Sequence, residues 1–169
     1  MNETNFKYEL HHLKGNTFYI DGPTNCGLYK LNESDVCLID CGTTDDGEII
    51  YDLLTKYNFN LKYIILTHSH ADHSGGSIYL SEKTGCKIIA SKVERAFLSD
   101  NKLDIGFLYG GYPLDEYDNK LMHTNDQNEI LSLSAIPEGL SSINLPGHHY
   151  KMIGIKTADD VYFVADTLG

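Results

Sequence analysis

The sequence is poor in several residue types that would point to particular protein classes. It has no tryptophan, four prolines and four cysteines, at positions 26, 37, 41 and 86, with no Cys-x-x-Cys pair. The first 16 residues lack the apolar region and the cleavage site of a signal peptide, so we expect a cytoplasmic location and reduced thiols. Cys37 and Cys41 fall in one strand-like run, and we expect both on the same side of it as core thiols.

Basic residues and long apolar runs are also scarce. The chain has 13 Lys and Arg against 24 Asp and Glu, a net charge of −11. Nucleic acids and anionic membranes attract basic surfaces, so we expect neither as a partner. No apolar run approaches the roughly 18–20 residues of a membrane span. The 41% apolar content is that of a folded protein, and 169 residues fit a single domain.

Short strand-like runs alternate with a few helical patterns. Residues 45–57 carry apolar side chains at helical spacing, residues 75–83 predict a helix ended by Gly85, and residues 92–98 a third. Residues 100–119 contain several glycines and predict an irregular, functional loop. The alternation predicts an α/β fold with some parallel pairing. The predicted strands are residues 6–13, 17–20, 26–31, 36–40, 62–67, 86–90, 129–135, 141–145, 152–157 and 161–165.

Three histidines and one aspartate lie within six residues, directly after the predicted strand 62–67. Imidazole and carboxylate groups together suit Zn²⁺ or a similar first-row ion. In an extended loop His68, His70 and Asp72 would project the same way, while His73 would reach a second ion. The alternative, a polar loop enriched in histidine by chance, does not explain why the cluster follows a strand and ends in two glycines.

The string from His68 to His73 resembles the H-x-H-x-D-H signature of the metallo-β-lactamase superfamily. The resemblance covers nearly the whole chain. Residues 25–29 are similar to an early strand of the family, and residues 38–42 to a strand that ends in an acid and a glycine. Residues 146–148 resemble its Pro-Gly-His element, and residues 164–168 the strand whose aspartate bridges two metals.

The resemblance implies an α/β (α+β) fold, a four-layer αββα sandwich of two mixed sheets with the metals at one edge. It implies one or two Zn²⁺ ions, with iron or manganese as alternatives. Asp72 is the catalytic candidate, because it could both bind metal and orient water. The implied ligands are His68, His70 and His148 for a first ion, Asp72 and His73 for a second, and Asp166 as a bridge.

Several residues near these motifs allow two interpretations. Asp40 would either support the metal loop or cap a turn. His149 adjoins His148, and we favour His148 because it follows Pro-Gly directly. Residues 108–113 would form either a substrate lip or a surface connector. The remaining histidines, His11, His12 and His123, are expected on strands or at the surface.

The chain departs from the family pattern at its end. Family members run on for several more strands and helices, which supply one further histidine to the second metal. We therefore expect residues 1–169 to be a single metallo-β-lactamase-like domain that lacks its C-terminal part, with the second half of the sandwich incomplete and fewer than two metals bound. Residues 161–165 would then form an edge strand prone to self-association.

The resemblance also bears on the reaction. Asp166 stands where many β-lactamases of the family carry cysteine, which favours the glyoxalase II-like and general hydrolase branches. The predicted activity, for the full-length protein, is hydrolysis of a small ester, thioester or lactone by a metal-bound hydroxide, with no serine or cysteine nucleophile. Two alternatives stay open: a mono-iron sulfur dioxygenase of the same superfamily, and a non-catalytic metal-binding fragment.

Overall fold

A computed structural model describes residues 7–111 and 130–168 of the chain. These residues form two β-sheets packed face to face, with helices on the outer face of the larger one. The helices are α1 (Asp46–Lys56), α2 (Ala71–Ser74), α3 (Ser77–Thr84), α4 (Lys92–Ser99) and α5 (Asn101–Tyr109). The strands are β1 (Leu10–Lys14), β2 (Thr17–Ile20), β3 (Cys26–Lys30), β4 (Asp35–Ile39), β5 (Asn60–Ile65), β6 (Lys87–Ile89), β7 (Ile130–Leu131), β8 (Leu140–Asn144), β9 (Ile153–Thr157) and β10 (Tyr162–Phe163).

The larger sheet has seven strands in sequence order and is mixed. Strands β1 to β4 pair antiparallel, and β4 to β7 pair parallel. The carboxyl ends of β4, β5 and β6 therefore meet at one edge of the sheet. In open α/β sheets this edge is where ligands bind.

Both faces of the central strands are covered, which explains their continuous apolar runs. Along β5, Ile64 packs under the helices with Ile50 of α1 and Leu80 of α3. Its neighbour Ile65 points to the opposite face and packs against Ile153 of β9. The larger sheet is thus held between a helical layer and the second sheet.

The second sheet consists of β8, β9 and β10, with β9 in the centre and all neighbours antiparallel. The described residues thus supply three layers of the αββα sandwich: helices, the mixed sheet and this antiparallel sheet. Strand β10 lies at the edge of the second sheet.

Three of the predicted elements differ most from the structure, and the predicted strand 6–13 begins only at Leu10. Residues 101–109 form helix α5 and not a loop, because the Asp100 side chain accepts from the Lys102 backbone N–H (3.0 Å) and Gly110 ends the helix at φ 68°. Residues 112–119 lie outside the described part. The predicted strands 129–135 and 161–165 shrink to two residues each, followed by 3₁₀ turns at Leu133–Ala135 and Ala165–Leu168.

All four cysteines are free and buried. Burial is the main cause that raises the pKa of each thiol. The expectation that Cys37 and Cys41 share one side was wrong: Cys37 belongs to the core between the sheets and Cys41 to the core under the helices. No helix within the described ranges is long and apolar enough to cross a membrane.

Candidate metal centre

Three segments that are distant in sequence meet at the carboxyl edge of the larger sheet. The loop after β5 carries His68 and His70, the loop after β8 carries His148, and the turn after β10 carries Asp166. One potential ligand atom from each of these four side chains lies within 4.8 Å of the other three. His148 Nε2 is 3.0 Å from His70 Nδ1 and 3.3 Å from Asp166 Oδ2.

The hydrogen bonds of His68 leave one ring nitrogen free for a metal. The Thr67 hydroxyl donates its only proton to Asp40 Oδ2 (2.8 Å), so it accepts from Nδ1–H of His68 at 3.0 Å. Nε2 of His68 is then an unprotonated, buried lone pair, and the described residues offer it no hydrogen-bond partner. An unsatisfied buried polar atom costs about 1–3 kcal/mol, which a bound cation would offset. The donor set fits a divalent first-row ion.

The protonation states also suit metal binding. Burial, assisted by the neighbouring imidazoles, lowers the pKa of His68 far below its usual value. Burial likewise lowers the pKa of His70. Both rings are therefore neutral at pH 7, which is the form in which imidazole binds metal ions.

A second group of ligand candidates surrounds His73. Its Nδ1 lies 2.8 Å from Asp40 Oδ2, and its Nε2 lies 3.1 Å from Asp166 Oδ1 and 3.6 Å from Asp72 Oδ2. Burial opposes the charged form of His73, but the hydrogen bond and charge of Asp40, with the charges of Asp72 and Asp166, outweigh it and raise the pKa to about 9. Three carboxylates around one imidazole favour positive charge at this position, and a second ion bound by Nε2 would displace the proton that this nitrogen shares with Asp166.

Asp40 supports the metal loop and does not cap helix α1. It follows β4 with a φ of 59°, a left-handed conformation that aspartate tolerates better than most residues. Its carboxylate accepts from the backbone N–H of Thr67 (2.8 Å), from the Thr67 hydroxyl and from His73. One side chain thus fixes both ends of the histidine-rich loop.

His148 and His149 point to different surroundings. His148 faces His70 and Asp166, as described above. His149 is 1% exposed, with Nδ1 2.8 Å from Glu94 Oε1 and Nε2 3.2 Å from Asp104 Oδ1. Burial lowers the pKa of His149, but the bonds to these two carboxylates and their charges raise it to about 9 overall.

Glu94 and Asp104 were not among the predicted site residues. Glu94 follows Ser91 by three positions at the start of α4, and the Ser91 hydroxyl accepts from the Glu94 backbone N–H. This spacing is typical of a capping box. The pattern therefore predicts a role at the helix terminus and does not indicate that the Glu94 carboxylate points into the core. Asp104 lies in the segment predicted to be irregular, where no apolar pattern indicates which side chains are buried.

A cleft of about 520 Å³ opens beside the second group of ligand candidates. Asp72, His73 and Asp166 line it, together with Thr24 and Tyr162. The Thr24 hydroxyl donates to Asp72 Oδ2 at 3.1 Å.

The remaining sequence expectations concern residues away from this cleft. Of the expected lip at residues 108–113, positions 108 and 109 end helix α5 and positions 112 and 113 lie outside the described residues. His11 and His12 lie on β1, and His123 is outside the described part.

Comparison with known proteins gives a consistent assignment. A profile of the metallo-beta-lactamase superfamily matches residues 19–169. The chain is 29% identical over 145 residues to hydroxyacylglutathione hydrolase GloC of Haemophilus influenzae, covering 85% of this chain and 66% of that protein. It is 31% identical over 125 residues to a probable metallo-hydrolase of Methanocaldococcus jannaschii, covering 70% of this chain and 55% of that protein.

Solved structures show the same fold. The native FEZ-1 metallo-beta-lactamase from Legionella gormanii matches with a TM-score of 0.71 and 20% identity, over 89% of this chain and 58% of that chain. The chain therefore spans between 55% and 66% of the length of these three relatives.

Proposed function

Because this chain belongs to the metallo-beta-lactamase superfamily, we propose that the protein is a metal-dependent hydrolase that cleaves a small thioester or ester. The observation that supports this most is the convergence of His68, His70 and His148, with Nε2 of His68 buried and unpaired within the described structure. Imidazole binds metal ions in its uncharged form, so three histidine ligands would hold an ion without cancelling its charge.

We propose zinc as the ion, with iron or manganese as alternatives. His68, His70 and His148 would hold a first ion, and Asp72, His73 and Asp166 would hold a second. When bound, the ion would supply Lewis acidity, lowering the pKa of a water molecule and polarising the carbonyl oxygen of the substrate.

The protein's own groups would orient the reactants. Asp72 is exposed to the cleft, and its Oδ2 is fixed by the Thr24 hydroxyl, so we propose that it orients the attacking water and accepts its proton. Asp40 holds His73 through Nδ1 and thereby directs Nε2 toward Asp166. The volume of the cleft is within the range of small-molecule sites.

The proposed preference for a thioester rests on one relative and one residue. The Haemophilus influenzae relative is a hydroxyacylglutathione hydrolase. Asp166, in place of the cysteine that the family's β-lactamases often carry, disfavours lactam cleavage. We further propose that the protein acts in the cytoplasm on a small molecule and on neither nucleic acid nor membranes.

The test is a substrate panel measured with and without metal. The purified full-length protein would be offered a hydroxyacyl thioester of glutathione, a nitrophenyl ester, a lactone and a β-lactam. We expect hydrolysis of the thioester to be fastest, to stop after chelation and to return with Zn²⁺. Turnover that survives complete chelation would refute the proposal.

Elemental analysis separates the alternatives. One iron per chain together with oxygen consumption would indicate the dioxygenase, and tightly held metal without any turnover would indicate a non-catalytic fragment.

A further inference from the structure

A buried group of three ionisable side chains lies next to the metal centre and does not line the cleft. Glu94 is 0% exposed, His149 1% and Asp104 2%. We call these three residues the carboxylate clamp. Burying two carboxylates is costly unless every oxygen that faces the core is hydrogen-bonded, so the bonds they make indicate what the clamp does.

Glu94 joins the two loops that carry the first-ion histidines. Its Oε2 accepts from the backbone N–H of Ser69 at 3.0 Å, and Ser69 lies between His68 and His70. Its Oε1 accepts from His149 Nδ1 at 2.8 Å and from the backbone N–H of Lys151 at 3.3 Å. One carboxylate on α4 thus bonds to both loops at once.

Asp104 repeats the connection from helix α5. Its Oδ1 accepts from the Ser69 hydroxyl at 3.1 Å and from His149 Nε2 at 3.2 Å. Ser69 and His149 are each bonded to both carboxylates. Each is also adjacent in sequence to a proposed ligand, so neither loop can move without breaking bonds to the clamp.

We infer that Glu94 and Asp104 are positioning residues that set the separation of the first ion's histidine ligands before the ion binds. They act through Ser69 on His68 and His70, and through His149 on His148. This inference rests on the proposed metal site. Outer groups that orient metal ligands typically account for 10–100-fold in metal affinity, because without them binding must also order the ligands.

The Glu94→Gln substitution tests the clamp with almost no change of shape. All three groups that bond to Glu94 are N–H donors, so the amide NH₂ of glutamine must face a donor on one side. That side of the clamp is released. A matched control is Asp46→Asn, since Asp46 is also a buried carboxylate, bonded to Thr43 and Tyr8 and to none of the metal loops.

In the measurement, the metal-free chain is titrated with Co²⁺. Binding is monitored by the ligand-field absorption of the bound ion, and its affinity is obtained from competition with a chelator. We expect Glu94→Gln to weaken Co²⁺ binding by about 10–100-fold and to shift the absorption bands. Asp46→Asn should lower the unfolding midpoint of the metal-free chain but leave Co²⁺ affinity and spectrum unchanged. That contrast separates positioning from general stability.

Other outcomes are also decisive. A folded Glu94→Gln variant with wild-type affinity and spectrum would overturn the inference. If that variant does not fold, Ser69→Ala decides, because it removes only the hydroxyl bond to Asp104: weaker Co²⁺ binding supports the clamp, and unchanged binding rejects it. A wild-type chain that binds no Co²⁺ would overturn both this inference and the proposed function, whereas Co²⁺ binding without hydrolysis would refute only the latter.

Discussion

At Asp40 a single backbone angle determines which side of the sheet Cys41 faces and where the Asp40 carboxylate points. Simple alternation along β4 would place Cys37 and Cys41 on one side of the sheet. The left-handed φ of Asp40 lies between them, so the Cys41 side chain faces the opposite side. The same angle aims the carboxylate at Thr67 and His73. A sequence pattern carries no signal for such a turn at a non-glycine residue.

Asp40→Ala should therefore destabilise the metal-free chain by about 2–5 kcal/mol. Alanine bears the left-handed strain of about 1–2 kcal/mol and leaves the buried N–H of Thr67 unsatisfied at about 1–3 kcal/mol. Asp40→Asn should lose less, since asparagine tolerates this conformation and keeps one acceptor. Urea unfolding of the three chains provides the measurement, and equal stability of the alanine variant and the wild type would contradict the role assigned to Asp40.

In the full-length protein, His70→Ala should reduce turnover at least about 100-fold and release metal, because three histidines leave no spare ligand for the first ion. His12→Ala is the matched control, since His12 lies on β1, where its ring contacts Phe18 and hydrogen-bonds to the Gly15 carbonyl, away from the metal loops. Metal content by elemental analysis and kcat/KM on the best substrate would be compared. Near-normal metal content in the His70 variant would remove His70 from the site.

The sequence predicts the ligand candidates far better than the residues that hold them. His68, His70, Asp72 and His73 share one short string, so their spacing alone indicates a metal. Glu94 and its partners are brought together only by the packing of α4 against the loops, which no local pattern encodes.

Among the elements, the close packing of α3 against the loop after β4 depends on two glycines. A Cβ on Gly76 would lie 2.4 Å from the Cys41 carbonyl oxygen, and one on Gly75 would lie 2.5 Å from the Thr44 nitrogen. Such distances are below van der Waals contact with backbone atoms, which cannot rotate away. The segment that contains Asp72 and His73 leads directly into these glycines.

Gly76→Ala should accordingly destabilise the chain by about 2–3 kcal/mol and weaken metal binding, because the backbone must shift next to His73. Gly111→Ala is the control, as no atom of the described residues, its chain neighbours aside, lies within 4 Å of its added Cβ. Thermal unfolding and Co²⁺ affinity measure the two effects. A Gly76 variant that behaves like the Gly111 variant would show that α3 has room to move.

Helix α5 and strand β10 show where element prediction fails. Gly106, Gly110 and Gly111 indicate a loop, yet one glycine inside a helix costs only about 1 kcal/mol, and the Asp100 cap and packing offset it. Strand β10 ends early because Ala165 adopts a φ of 47°, which turns the chain so that Asp166 faces the histidines. By contrast, the central strands and α1 follow directly from their apolar patterns.

For the whole molecule, the histidine pKa values predict how stability depends on pH. The pKa of His73 and of His149 is raised to about 9 in the folded chain, above the usual 6.5. Their stabilisation is complete below about pH 6.5 and is lost as the pH rises through 9. We expect the unfolding midpoint of the metal-free chain to fall by at least about 5 °C between pH 6.5 and 9.

Calorimetry across that pH range measures the fall. Asp40→Asn weakens the main partner of His73 and should flatten the slope. A midpoint that rises with pH would show that these histidines are neutral in the folded state.

Because all four thiols are buried, the rate at which a reagent labels them reports how often the core opens. With no tryptophan the chain lacks the usual fluorescent reporter, but a thiol reagent can reach a cysteine only when the core opens. Labelling of the native chain should therefore be slow, and four thiols should react at once in denaturant. Cys41 sits beside the His73 carbonyl, so metal that holds the histidine loop in place should slow its modification most, as mass spectrometry of the labelled peptides would record.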